Sequence, residues 1–218
     1  MIKYGRGKAE IMFWQACMEQ YRADDQVRNL IFVKYKGGSS AKVILYEKEE
    51  AHWKVVLSVK GCVGKSGIGK QKEGDQKTPS GIYTVTQAFG ICPDPGAEIP
   101  YLQVTKDHYW CSDAAYYNRL IDIRQCPHQC RGEHLIDYQG LYDYGLFLDY
   151  NRECELGRGS AIFMHCIGEK NYTAGCIAVP KKQMREIIKC VHRETKIVIF
   201  YDLFYNRVDW NQQADKRN

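Results

Sequence analysis

Short runs rich in β-branched and aromatic residues recur along this chain. They predict strands at Leu30–Tyr35, Val43–Tyr46, Trp53–Val59, Gly81–Ala88, Tyr101–Thr105, Tyr144–Asp149, Ser160–Cys166 and Lys196–Tyr201. The turn between the first two falls on Gly37, Gly38, Ser39 and Ser40, and a Gly- and Lys-rich loop runs from Lys60 to Ser80. Helical spacing stands out in two places. Ile11, Phe13, Trp14, Cys17, Met18 and Tyr21 fall partly on one face of an N-terminal amphipathic helix. Met184, Ile187, Ile188 and Val191 recur at helical spacing after Pro180, predicting a helix at Lys181–His192. From Lys106 to Tyr142 the pattern is irregular and aromatic, with short helical turns, and an excursion of that length typically serves as a lid or binding loop. The reading is a mainly β fold with one or two packed α-helices: a helical extension over 1–24, a body over 25–206 and a polar tail over 207–218.

Composition narrows the function classes. The chain has 218 residues, enough for one substantial domain, and its 44% hydrophobic and 26% charged residues are those of a folded protein. Sixteen Tyr and four Trp suit β-structure and peptide- or carbohydrate-lined surfaces. The net charge of +5 is spread among Asp and Glu with no basic run of five or more, which argues against a nucleic-acid partner. No apolar run approaches the roughly 20 residues of a membrane-spanning helix. Glu10, Gln15, Glu19 and Gln20 interrupt any signal-peptide core, so the chain either stays inside the cell or is a trimmed form. Ten Cys with no repeating spacing leave the redox compartment open, with Cys17, Cys166 and Cys190 read as buried thiols.

The candidate chemistry centres on residues 159–180. An apolar strand delivers His165 at its end, and a loop of ten residues returns to Thr173, Ala174, Gly175 and Cys176. Two adjacent strands holding a thiol and an imidazole make a nucleophile–base pair in which His lowers the thiol pKa. Gly175 lets the backbone turn so that nearby N–H groups face a developing oxyanion. The alternative is a buried Cys beside a core His. Trp110, Asp113, Tyr116, Tyr117 and Asn118 form a polar-aromatic cluster, either walling a cleft or anchoring a loop with Asp113 capping a short helix. Two segments imitate other functions. Gly64–Gln71 nearly spells a phosphate-binding loop, but Gln71 stands where Ser or Thr is needed and no helix pattern follows, so Glu73, Asp75 and Thr78 are read as pins of a long loop. Cys126, His128, Cys130 and His134, with or without Cys111, suggest zinc, but the ligand set is incomplete; a disulfide or free thiols are simpler, and neither metal nor cofactor is expected.

His, a loop, then Thr-x-Gly-Cys opening a strand resembles the signature of L,D-transpeptidase (YkuD-like) catalytic domains. The likeness continues in Asp25-Gln-Val-Arg-Asn-Leu-Ile-Phe-Val33 and in Val63–Tyr83 with its Lys72-Glu-Gly-Asp75 and Thr78-Pro-Ser-Gly81. It also runs through Trp110-Cys-Ser-Asp113, Tyr117-Asn118, Asp149-Tyr-Asn151 and Gly159-Ser-Ala-Ile-Phe163, in the family's order over about 25–201. Two departures stand out: Ala178 replaces an Arg common in the better-known branch, and His165 lies only eleven residues before Cys176 and is followed by Cys166. The resemblance implies a β-sandwich with packed helices and a peptidoglycan L,D-transpeptidase forming 3→3 cross-links. Cys176 would be the nucleophile and His165 the base, with Gly175 and Thr173 in the catalytic turn and Trp110, Asp113, Tyr117, Asn118 and Ala174 against substrate. It implies a tetrapeptide donor stem, a diamino-acid acceptor, covalent inhibition by carbapenems and action outside the cytoplasmic membrane, with an export signal trimmed or lying outside this chain. The alternatives are an L,D-carboxypeptidase or other cysteine hydrolase of wall peptides, and a non-catalytic wall-binding module.

Overall fold

The apolar runs fold as strands. In the computed structural model, which describes residues 6–50 and 52–200, helix α1 (Arg6–Arg22) precedes β1 (Asn29–Gly37), β2 (Ser40–Glu49) and β3 (His52–Cys62), joined as hairpins. Strands β4 (Gly81–Gly90) and β5 (Tyr101–Gln103) follow the long loop, and β6 (His108–Cys111), β7 (Arg119–Asp122) and β8 (Glu133–His134) lie in the excursion. Then come β9 (Gly145–Leu148), β10 (Phe163–Cys166), β11 (Ile177–Val179), α2 (Lys181–Cys190) and β12 (Lys196–Phe200). Residues 1–5 of the expected extension, Tyr201 of the expected final strand and the expected tail, 207–218, lie outside the described residues.

Nine strands form one sheet in the order β12-β1-β2-β3-β11-β10-β9-β4-β5, and β12 also pairs with β4. Strand β12 joins β1 in parallel, with Leu30 opposite Lys196, and β4 antiparallel, with Thr84 opposite Lys196. The second pairing closes the expected mainly β sandwich into a barrel-like sheet.

Burial explains why the β1 run does not alternate. Ile31 and Val33 point into the enclosed core with Val43, Leu45, Ile197 and Ile199. Leu30 and Phe32 point outward, in a layer shared with Phe13, Cys17 and Tyr21 of α1 and with Val198 and Phe200 of β12. A strand covered on both faces reads as continuous hydrophobicity. Phe13 stacks on Phe200 with ring centroids 4.1 Å apart, and each large apolar side chain so buried stabilises the fold by about 1.5–3 kcal/mol. Lys48 Nζ donates to the Tyr21 carbonyl at 3.0 Å and the Asp24 carbonyl at 2.6 Å, placing a cation where the end of α1 carries partial negative charge. Helix α2 buries Met184, Ile187 and Ile188 in the enclosed core.

The excursion is more regular than its sequence implies. It holds a three-stranded sheet, β7-β6-β8, and a 3-10 turn at Leu135–Asp137. These strands are two to four residues long, too short for a period of two to register. Leu135 and Tyr142 from the excursion pack with Phe89, Phe147 and Phe163 as a second apolar layer outside the sheet. That layer covers Cys176.

Candidate active site

Strands β10 and β11 run parallel, with Met164 opposite Ile177 and His165 opposite Ala178. Alternation along each strand decides which side chains meet. Met164, Cys166, Ile177 and Val179 belong to the enclosed core, whereas Phe163 and Cys176 belong to the layer under the excursion. His165 shares the outward parity of Phe163 and packs edge-on against Tyr142, with centroids 5.4 Å apart. Two thiols follow His165 in sequence, and the fold separates them. Cys166 points inward with Sγ donating to the Tyr144 carbonyl at 3.5 Å, and Cys176 shares the outer face with His165.

Each member of the pair is oriented by backbone. Cys176 Sγ donates to the Ala161 carbonyl at 3.1 Å and accepts from the Phe163 N–H at 3.3 Å. His165 Nδ1 lies 2.8 Å from the Cys166 carbonyl. A carbonyl can only accept, so Nδ1 carries the proton and Nε2 keeps its lone pair. Thr173 Oγ1 accepts from the Gly175 N–H at 3.1 Å and donates to the Cys176 carbonyl at 2.7 Å. Thr78 Oγ1 donates to the same carbonyl at 3.1 Å and accepts from the Gly64 N–H at 2.8 Å, so the long loop buttresses the turn that carries Cys176. A Cβ at Gly175 would sit 3.1 Å from both Ile162 Cδ1 and the Lys77 carbonyl, which a small residue there avoids. Ala174 is exposed at the tip of this turn.

Burial sets the electrostatics. It pushes the Cys176 thiol up to about 12, helped by the negative charge of Glu133 and opposed by the Phe163 N–H and Lys70. It pulls His165 down to about 4 against the hydrogen bond to Cys166. Both shifts favour the uncharged forms of the two groups. In both groups desolvation outweighs the local hydrogen bonds, and His165 is not among the groups that lower the Cys176 thiol. Glu133 is raised by burial although the Tyr142 hydroxyl donates to its Oε2 at 2.5 Å.

The polar-aromatic cluster is drawn into the same framework. Asn118 Nδ2 donates to the Tyr150 carbonyl at 3.0 Å and the Asn151 carbonyl at 2.9 Å. Its Oδ1 accepts from Trp110 Nε1 at 3.1 Å and the Ala161 N–H at 3.2 Å. Tyr117 donates to Glu73 Oε2 at 3.1 Å and accepts from the Gly159 N–H at 3.1 Å. No helix follows Asp113; its carboxylate faces Cys111, His128 and the Arg131 N–H, and with Cys130 these form a set able to hold a metal.

Two residues escaped the sequence reading. Ala161 adopts φ +56°, a left-handed conformation costly for a residue with a Cβ, between its N–H bond to Asn118 and the carbonyl that takes the thiol proton. Lys70, in the segment resembling a phosphate loop, pairs with Asp75 at 2.9 Å with its side chain only 4% exposed. It packs against Gly159 and Gly175, putting a buried cation near Cys176 where Ala178 supplies none. Burial alone would raise the Asp75 carboxyl. The Gln71 N–H, the Lys70 ammonium and the N–H groups of Lys77 and Lys72 overcome this and hold it below the usual carboxylate range. The signal was Asp75 itself, five residues from Lys70 across a Gly-containing turn.

Cys176 is 8% and His165 6% exposed, and the layer under the excursion lies over Cys176. A cleft of about 930 Å³ lined by Thr84, Thr86, Arg119, Arg152 and Lys196, among others, includes none of Cys176, His165, Gly175 or Thr173. Among the described residues, no helix is long and apolar enough to cross a membrane.

The sequence model of the L,D-transpeptidase catalytic domain (YkuD) matches residues 39–199. No curated protein matches the chain. Similar solved structures include Bd1075 of Bdellovibrio bacteriovorus, 15% identical over 88% of this chain and 57% of that one, with a TM-score of 0.45. The helical cell shape determining protein Pgp2 of Campylobacter jejuni is 15% identical over 85% of this chain and 54% of its own, TM-score 0.40. An Enterococcus faecium L,D-transpeptidase, as a cysteine-to-serine mutant, is 12% identical over 81% of this chain and 50% of its own, TM-score 0.37. The chain thus spans a little over half the length of the first two.

Proposed function

This chain belongs to the L,D-transpeptidase catalytic-domain family, and on that premise we propose that it transfers acyl groups of peptidoglycan stem peptides through Cys176, forming 3→3 cross-links. The observation that carries the reading is the pair on the outer face of β10 and β11: a thiol oriented by Ala161 and Phe163, and an imidazole whose Nε2 lone pair is left available by the Nδ1–H bond to Cys166. As the donor stem enters, His165 Nε2 takes the Cys176 proton and sulfur attacks the carbonyl of the third stem residue. The Gly175 N–H is committed to Thr173, so the Cys176 N–H is the donor proposed for the oxyanion. The C–N bond to the terminal D-alanine breaks, and its amine leaves with the proton from His165. The side-chain amine of a second stem then attacks the thioester, giving the amide cross-link and regenerating the thiol. This chemistry belongs outside the cytoplasmic membrane, and that localisation is part of the proposal.

The test incubates the protein with tetrapeptide muropeptides. Cross-linked dimers are expected, and tripeptide alone would mean an L,D-carboxypeptidase. Intact-mass measurement after carbapenem treatment is expected to show one covalent adduct, absent in Cys176→Ala; an adduct that survives this substitution would remove Cys176 as the nucleophile. No adduct on the unsubstituted protein would favour a wall-binding module.

A further inference from the structure

Cys111 closes β6, Asp113 follows two residues later, and His128 and Cys130 return from the far side of the excursion. Their ligand atoms all lie within 4.8 Å of one another. Cys111 Sγ is 3.4 Å from Asp113 Oδ2 and 3.6 Å from His128 Nε2, and His128 Nε2 is 3.0 Å from Asp113 Oδ2. A tetrahedral ion with Zn–N and Zn–O bonds near 2.0 Å and Zn–S bonds near 2.3 Å sets its ligands about 3.3–3.8 Å apart. The three spacings among Cys111, Asp113 and His128 are close to that, and Cys130 Sγ, within 4.8 Å of each of them, completes the four.

From this geometry we propose that Cys111, Asp113, His128 and Cys130 bind a structural zinc ion. The chemistry suits zinc: two thiols, an imidazole and a carboxylate make a borderline-soft, four-coordinate set that leaves no position for water. Binding releases the two thiol protons and leaves the centre with a net charge of −1: two positive charges on the ion against two thiolates and one carboxylate. Arg131 lies alongside, with its backbone N–H donating to Asp113 Oδ2 at 3.0 Å and Nε 3.7 Å from Oδ1. Outer groups also orient the ligands, since the Tyr116 ring packs on His128 with centroids 4.7 Å apart. Cys126, which the sequence groups with this motif, stays outside the set.

The ion has a structural task. It ties the 128–130 segment to the end of β6, whose Trp110 packs edge-on against Phe163 at 4.8 Å, next to Cys176. The zinc is a staple at the base of the cover over the candidate nucleophile. This assignment does not depend on what reaction Cys176 performs.

The test uses the full chain purified in reducing, chelator-free buffer. Elemental mass spectrometry is expected to give one zinc per chain, and cobalt substitution the intense visible bands and thiolate charge transfer of a tetrahedral thiolate site. Chelator competition should show Cys130→Ser and His128→Ala weakened beyond the roughly 10–100-fold that loss of an outer-shell partner costs, while Cys126→Ser binds like the parent. Cys130 and His128 are only partly buried, so both variants are expected to fold. A chain that takes up no zinc on titration, metal that survives both substitutions, or loss of metal in Cys126→Ser would each overturn the assignment. So would a Cys111–Cys130 disulfide persisting in reducing buffer.

Discussion

Replacing Asn118 by Ala separates a substrate contact from a framework role. Its side chain serves four partners: the Tyr150 and Asn151 carbonyls, Trp110 Nε1 and the Ala161 N–H. The residue is 8% exposed, so truncation leaves those groups short of partners in a largely dry setting. At the lower end of the cost of an unmade buried bond, about 1 kcal/mol each, the four sum to about 4 kcal/mol. The backbone adds to this: at φ +58° Asn is tolerated, and Ala costs about 1 kcal/mol more. The expected loss is about 5 kcal/mol, a large share of the 5–15 kcal/mol that typically holds a domain together. Urea unfolding of Asn118→Ala should show it as a fall in midpoint at constant slope. Asn118→Gly should recover only about 1 kcal/mol, the backbone part. A variant within 1 kcal/mol of the parent, with its defect confined to KM for a stem peptide, would refute the framework argument and return Asn118 to the substrate cleft.

Three further outcomes follow from the site. His165 is held near 4 by burial, below its unfolded value of 6.5, so its contribution to stability is present above 6.5 and lost as pH falls toward 4. The loss is about 3 kcal/mol in total, and urea titrations from pH 7 to 4.5 should show the slope reduced in His165→Gln; equal slopes would contradict it. Asp75→Asn strands the Lys70 ammonium, 4% exposed, and should cost about 3–5 kcal/mol in thermal or urea unfolding, whereas an unchanged Tm would mean the pair is not buried in solution. Cys166→Ala should leave carbapenem acylation stoichiometric, because that thiol faces the enclosed core; loss of the adduct in a folded Cys166→Ala protein would reverse the assignment of the two thiols.

What the sequence revealed and what it hid divide along range. The runs at Leu30–Tyr35 and Gly81–Ala88 announce strands because β-branched and aromatic residues crowd there, and the period of Met184, Ile187 and Ile188 announces α2 because one helix face is buried. Closure by β12 was not legible, since nothing local tells Lys196 that it will lie between Leu30 and Thr84. The turn that carries Cys176 was legible because Thr173, Gly175 and Cys176 are neighbours. Its surroundings were not: Lys70, Glu133 and Ala161 come from three separate loops or strands. The fourth metal ligand was hidden for the same reason, because Asp113 precedes His128 by fifteen residues and only the pairing of β6 with β8 folds the segment back.

The position of β12 also dictates an order of events during synthesis. Residues 29–90 contribute four of the barrel strands early, yet β1 and β4 each wait for an edge partner made more than a hundred residues later. A nascent chain paused between Val179 and Lys196 therefore carries the edges of β1 and β4 that await β12 unpaired, a state prone to pairing with a stranger. It also carries Cys166 and Cys176 without the finished barrel around them. Oxidants or thiol-disulfide exchange acting before closure would meet two thiols that the completed barrel buries.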